Sequence, residues 1–205
     1  TSKMVLDGKI LRGKGETIKA VLWLCDLRDF TALTAQLEAS AMIEMMNDYF
    51  DTMAEAIWAQ GGEILKFMGD AMLVVFRIGE TMTPPDAAQR AVRASLDAQA
   101  RLEELSKQRV SAGLSPLRAG IAVHLGTVIY GNIGASRRLD FTVMGNAVNV
   151  VARLQGLTGT TGEALLFSRG IAQYLSLSSE SLGSYDLKGV PDPVEIYRLK
   201  DSRSA

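Results

Sequence analysis

Two aspartates and a pair of adjacent arginines stand out for the chemistry they could do together. Asp70 falls in Gly-Asp between two apolar, strand-prone runs, Glu63 to Phe67 and Ala71 to Phe76. That pattern reads as a β-hairpin with a two-residue turn at Gly69-Asp70. Sheet ladders would hold such a carboxylate in place while the turn exposes it, as a metal ligand requires. Gly-Asp is also ordinary turn chemistry, so a second carboxylate has to decide the matter. Asp26 is that candidate, at the end of the apolar run Ile18 to Asp26, which has the composition of a strand buried on both faces. The residues after it, Leu27 to Thr34, open a helix and leave backbone N–H groups near Asp29 to Ala32, those of Phe30 and Thr31 among them, free to meet an anion. If the two strands are neighbours, Asp26 and Asp70 converge. Two carboxylates with backbone oxygens and no histidine suit two hard cations, Mg²⁺ or Mn²⁺, used with phosphates. Arg137-Arg138 and Lys188 supply positive charge for those phosphates. No Walker loop, kinase Gly-rich loop or Ser-His-Asp arrangement is present, so the chemistry indicated is phosphoryl transfer of another design.

The elements that must position these groups follow from periodicity. A long amphipathic helix is expected from Ser40, as N-cap with Glu44 behind it, to about Gln60, stopping at Gly61-Gly62. Its stripe of Met42, Ile43, Met45, Met46, Tyr49, Phe50, Met53 and Ile57 reads as core packing. A second long helix spans Pro85 to about Arg109, with Ala88, Ala91, Val92, Leu96, Leu102 and Leu105 turned inward. Leu117 to Gly126 and Thr127 to Gly134 read as two strands joined tightly at Gly126. The lone histidine, His124, is expected to be a hydrogen-bonded structural residue. A further strand follows the basic corner and leads through Gly145-Asn146 into a helix from Ala147 to about Leu157, where Asn149 and Arg153 share one face at a spacing of four. The tail holds a short strand near Ala164 to Phe167, a helix from Ser168, and a hairpin with arms Gly183 to Gly189 and Val194 to Leu199. Hairpins alternating with long crossing helices predict an α+β fold of the ferredoxin-like kind, with helices mostly on one face of an antiparallel sheet.

Composition bounds the rest. The 205 residues, 47% hydrophobic and 22% charged, match one globular domain with an ample core. A net charge of −1 leaves no basic footprint for nucleic acid. No apolar run approaches the roughly 20 residues of a membrane span. The single cysteine, Cys25, precludes an internal disulfide, reads as a small core residue and is consistent with a cytoplasmic setting. The start, Thr-Ser-Lys-Met, reads as a domain taken from a longer protein. The expected division is a linker over 1–16, a catalytic domain over 17–200 and a tail over 201–205.

Five motifs in order carry a resemblance: Cys-Asp-Leu-Arg-Asp-Phe-Thr at Asp26, Lys-Phe-Met-Gly-Asp with Lys66 and Asp70, Gly-Asn-Ala-Val-Asn and Val-Val-Ala-Arg-Leu with Asn149 and Arg153, and Leu-Lys-Gly at Lys188. Together they resemble the class III nucleotide cyclase catalytic domain over about residues 17 to 200. The resemblance implies conversion of ATP to 3′,5′-cyclic AMP and pyrophosphate in a head-to-tail homodimer, with both active sites at the interface and an upstream sensor or regulatory domain in the full chain. Asp26 and Asp70 would then hold the metals with the carbonyl of Leu27. Asn149 would orient the ribose and Arg153 would stabilise the transition state. Lys66 would read the purine, and Arg137 or Arg138 with Lys188 would hold the β and γ phosphates. The second purine-reading position carries Thr142, where animal membrane adenylate cyclases have Asp and guanylate cyclases have Cys. In this it is similar to the subgroup that includes bicarbonate-responsive soluble cyclases, so a bicarbonate response is an expectation resting on Thr142 alone. Thr142 can accept from the adenine amino group and Lys66 can donate to ring N1, which favours ATP over GTP. Asp140, two residues earlier on the same strand, is a secondary candidate. The competing readings are a guanylate cyclase, disfavoured by Lys66, and a catalytically silent dimerisation module, which would need none of these residues. A diguanylate cyclase lacks its signature here.

Overall fold

A run of apolar residues with no polar side has to be covered on both faces, and that requirement places β1 (Gly15–Leu27) at the middle of the molecule. From Ala20 to Cys25 no residue is more than 7% exposed. The computed structural model describes residues 15–35, 37–135 and 138–200. β3 (Ala71–Arg77) lies antiparallel along one edge of β1, with Met72 opposite Cys25. β4 (Ala119–Ala135) lies antiparallel along the other, with Gly120 opposite Asp26. With β2 (Glu63–Met68), β5 (Arg138–Met144), β6 (Leu165–Ser168), β7 (Ser179–Tyr185) and β8 (Val194–Leu199), the sheet runs β2-β3-β1-β4-β6-β8-β7, and β5 pairs the outer length of β4. β4 and β6 are parallel, so the sheet is mixed rather than wholly antiparallel.

The helices are α1 (Phe30–Thr34), α2 (Ala39–Ala59), α3 (Pro84–Ser111), α4 (Asn146–Thr161) and α5 (Arg169–Ala172). Side chains alternate along β1, and the layers follow that alternation. Val21, Trp23 and Cys25 pack with Met45, Tyr49, Met53 and Ile57 of α2 and Ala88, Ala91 and Val92 of α3. Ala20, Leu22 and Leu24 pack with Ala147, Val150, Val151 and Leu154 of α4. The α+β class is as expected, with the long helices α2 and α3 on one face. The other face, however, is not left open, because α4 closes it. The Trp23 indole N–H donates to Ser95 Oγ at 2.8 Å, and that hydroxyl donates to the Ala91 carbonyl at 2.9 Å, which fixes α3 over β1.

Local signals place most ends well and some poorly. Thr83 and Asp86 form a reciprocal capping box at the start of α3, with Pro84 in its first turn. α2 begins earlier than its sequence suggests, with Glu38 rather than Ser40 at the N-cap position and no side-chain capping hydrogen bond there. Ile43 and Leu96, expected inward, are 58% and 38% exposed, because each sits beside the buried stripe of its helix rather than within it. The closing hairpin is formed by 179–185 and 194–199, so Lys188 lies in the connection and not on a strand.

The largest correction concerns Gly126, which makes no turn. β4 runs unbroken through it for 17 residues. A Cβ at Gly126 would overlap the Cβ of Ala147, and one at Gly120 would overlap the Thr158 side chain, so both glycines serve the close approach of α4 to the sheet. Gly156 is different: it lies within α4 and a Cβ there meets nothing within 4 Å. Gly126→Ala should therefore destabilise the protein by about 1–3 kcal/mol. Gly156→Ala should stabilise it by about 0.5–1 kcal/mol. Urea denaturation midpoints measure both, and a shift of the same sign in the two variants would contradict this packing.

Candidate active site

The end of β1 and the tip of the β2–β3 hairpin meet. Gly69 supplies the turn at a φ of 65°, where a side chain is strained, and Asp70 follows it. The Leu27 backbone N–H donates to Asp70 Oδ2 at 3.1 Å, which ties the hairpin tip to the end of β1. Asp26, Leu27, Phe30, Thr31 and Asp70 all line one cavity of about 420 Å³. The first hydrogen bond of α1 runs from the Leu33 N–H to the Asp29 carbonyl at 2.9 Å, so the amides of Phe30, Thr31 and Ala32 are not used within the helix.

Asp26 carries the electrostatic signature of the pair. Burial pushes its carboxyl up to about 7, helped by the hydrogen bond and negative charge of Asp70. A buried carboxylate beside a second one is a donor set that suits a hard, oxygen-seeking divalent ion. Among the described residues, no group of three or more His, Cys, Asp or Glu side chains is arranged around a metal. Any ion held by this pair alone would need further oxygens from backbone or substrate.

Sequence reasoning did not single out Asp29. It lines the same cavity and is the only non-glycine residue with positive φ among those described, at 58°. Asp tolerates that conformation better than most residues, but nothing in the spacing marks the position.

Lys66 reaches the α4 side of the sheet through a β-bulge. Strict alternation would put it on the same face as Ile64, which pairs with Val74 on the α2–α3 side. The register slips between Ile64 and Lys66, so Lys66 pairs instead with Leu73, whose side chain lies on the α4 side. There its ammonium forms an ion pair with Asp140 of β5. Thr142 follows two residues further along β5, opposite Gly131. Arg138 opens β5 opposite Ala135, and Arg137 lies outside the described residues.

The remaining candidates form a third group. Ala147, Val150, Val151 and Leu154 bury the inner face of α4, and Asn149 and Arg153 stand exposed on its outer side. Arg153 Nε donates to the backbone carbonyl of Lys188 at 3.1 Å. Asp26 lies opposite Gly120, the residue against which Thr158 packs. Asn149 is nine residues before Thr158, about 14 Å along the helix axis. One chain therefore keeps its carboxylate pair apart from its own Asn149.

Fold and site together define a class: an open mixed sheet covered by helices on both faces, with paired acids at the end of its central strand. The family model described as the adenylate and guanylate cyclase catalytic domain matches residues 16–201. An adenylate cyclase of Anabaena cylindrica is 34% identical over 194 residues, which is 92% of this chain and 38% of that relative. The chain thus spans well under half the length of that curated relative. Among solved structures, the adenylyl cyclase CyaB from P. aeruginosa is 30% identical with a TM-score of 0.84, over 93% of this chain and 98% of that one. The guanylyl cyclase Cya2 is also 30% identical, with a TM-score of 0.77 over 93% and 97%. The chain belongs to the adenylate and guanylate cyclase catalytic domain family.

His124 and Cys25 stand apart from the site groups. His124 Nδ1 shares a 2.8 Å hydrogen bond with Ser168 Oγ, and burial lowers its pKa to about 4. The Cys25 thiol, buried against the Tyr49 hydroxyl at 3.1 Å, is pushed up to about 12 by that burial. Because folded His124 resists a proton that the unfolded chain accepts near pH 6.5, its contribution to stability is present above that pH. It should be lost as pH falls from about 6.5 to 4, by an amount on the order of 3 kcal/mol. As the only histidine, its imidazole is resolved by NMR without assignment. The expected spectrum shows the neutral ring down to about pH 5, and a midpoint near 6.5 in the folded protein would refute the assignment.

Proposed function

We propose that residues 17–200 form an adenylate cyclase catalytic domain, flanked by linker and tail, that converts ATP to 3′,5′-cyclic AMP and pyrophosphate. The observation that carries this reading is the meeting of Asp26 and Asp70 at one cavity beside the unused amides of α1. That arrangement suits a triphosphate brought in with divalent cations. In the reaction the 3′-hydroxyl oxygen forms a bond to the α-phosphorus, the bond from that phosphorus to the bridging oxygen breaks, and pyrophosphate leaves with it while the hydroxyl proton is lost. Bound Mg²⁺ or Mn²⁺ would supply Lewis acidity, favouring loss of that proton and neutralising the pyrophosphate oxygens. Asp26 and Asp70, with the Leu27 carbonyl, are the residues to hold the cations.

Apart from the α1 amides, which share the cavity of the carboxylate pair, the other roles fall to residues that stand away from it. Asn149 orients the ribose and Arg153 balances charge on the α-phosphate. Lys188 and the Arg137-Arg138 corner hold the outer phosphates, and the amides of Phe30 and Thr31 meet them at α1. Lys66 donates to adenine N1 from the position that Asp140 supports, and Thr142 accepts from the amino group. The separation of Asn149 from Asp26 along α4 supports a homodimer in which each site takes its acids from one copy and its Lys66, Asn149 and Arg153 from the other. The Anabaena relative, named an adenylate cyclase, also favours ATP, and so does Lys66. The likeness to a guanylyl cyclase makes GTP the necessary control.

The test is turnover of ATP and of GTP with Mn²⁺ or Mg²⁺. Cyclic AMP should form at a specific activity that rises with protein concentration, and GTP should be the poorer substrate. Asp70→Ala and Arg153→Ala should each be inactive alone. Mixed in equal amounts, they should recover up to about a quarter of the wild-type rate, because half the dimers would carry one intact site of two. Failure of the mixture to recover, with wild type active, would refute the shared site. Absence of any cyclic nucleotide would refute the enzyme reading and favour a silent module.

A further inference from the structure

Another cavity, of about 540 Å³, shares no lining residue with the one at Asp26 and Asp70. One wall is a stripe of α3 at helical spacing, Gln99, Leu102, Glu103 and Ser106. The opposite wall is Arg28, just past β1, with Arg118 before β4 and Gly162 and Ala164 between α4 and β6. Its floor is apolar, formed by buried Leu102, Leu117 and Ala119.

The polar groups around that floor are unequally satisfied. Ser106 Oγ donates to the Leu117 carbonyl at 2.6 Å and accepts from the Leu117 N–H at 2.9 Å, so it is fully used. Glu103 pairs with Lys107 at 3.1 Å. Arg28 spends one nitrogen on the carbonyls of Thr158 and Glu163, at 2.9 and 2.6 Å, and its other nitrogens have no protein partner among the described residues. Arg118 makes no side-chain hydrogen bond or ion pair among the described residues. Gln99 Nε2 is the one buried side-chain nitrogen or oxygen among them with no hydrogen-bond partner. A buried donor left unmet is costly, and natural structures seldom keep one without a use. The unmet donors around the cavity are therefore the two guanidinium groups and, buried in its wall, the Gln99 amide N–H, above an apolar floor, with the Glu103 carboxylate engaged by Lys107.

We propose that this cavity binds a small molecule with a carboxylate on an apolar body. The planar fork of a guanidinium matches a carboxylate. The volume is that of a small-molecule site rather than of a bare anion, and the floor suits an aliphatic or aromatic group. The Arg28 backbone N–H donates to the Arg118 carbonyl at 2.8 Å, so the two cationic walls are joined, and Arg28 follows Leu27 directly. An occupant would thus sit next to the end of β1 without entering the carboxylate cavity. The inference is independent of the cyclase reading, since it concerns binding and not turnover.

The experiment titrates the purified protein with hexanoate and benzoate, and with hexanol and benzyl alcohol as uncharged counterparts, by calorimetry and thermal shift. At least one acid should bind saturably at one site per chain, the alcohols should not, and excess ATP should not compete. The Kd should rise at least about tenfold in Arg118→Ala and in Gln99→Leu. Without ligand, Gln99→Leu should melt no lower than wild type, because it removes the unmet donor. Asp70→Ala should bind as wild type. Any of four results would overturn the proposal: no saturable binding of either acid up to about 10 mM, equal binding of the alcohols, unchanged affinity in both cavity variants, or loss of binding in Asp70→Ala. A lower melting point for ligand-free Gln99→Leu would also overturn it, by showing that the amide has a structural partner.

Discussion

Burial of β1 on both faces is the constraint from which the rest follows. A strand in which every residue from Ala20 to Cys25 is apolar cannot be an edge or a one-sided surface. It needs strands on both sides and helices above and below, and the chain provides β3, β4, α2, α3 and α4 for that purpose. Asp26 is where this burial ends. It lies beside Asp70 because β3 is the neighbour that covers one edge of β1, and its carboxyl is raised because the site still lies partly inside the core. The acids meet as a consequence of how the core is closed.

The second face depends on small residues. α4 sits close to β4 because Gly120 and Gly126 have no side chain, and this closeness turns Asn149 and Arg153 outward while Val150, Val151 and Leu154 fill the space beneath. A larger residue at either glycine would lift the helix and move both exposed side chains with it. The same geometry puts Asn149 well along the helix from the level of Asp26. Close packing thus accounts both for the order of α4 and for the division of the proposed site between two copies.

Lys66 shows how a small irregularity directs a side chain. An exposed ion pair with Asp140 contributes little to stability. Its position is set by the bulge, which sends Lys66 to the α4 face while leaving Ile64 on the opposite one. The proposed base-reading position therefore depends on one slipped register in β2, an edge strand whose ladder partner is β3.

The sequence by itself determined the elements and the candidate chemistry, because both are local. The hairpin around Gly69-Asp70, the buried run ending at Asp26, the two long helices and the spacing of Asn149 and Arg153 were legible from period, turn chemistry and capping. The α+β class followed from their order, and the five motifs pointed to the cyclase family that the comparisons establish. Four things were decided only in three dimensions. Gly126 read as a turn because glycine marks turns locally; only the position of Ala147, 21 residues later, makes it a packing residue. The face taken by Lys66 depended on pairing with β3, which no alternation rule within β2 contains. The placement of Asp29 in the acid cavity and the unmet amide of Gln99 arise from surrounding segments far apart in the chain. Local physics writes the elements into the sequence, whereas contacts between distant residues exist only once those elements are packed.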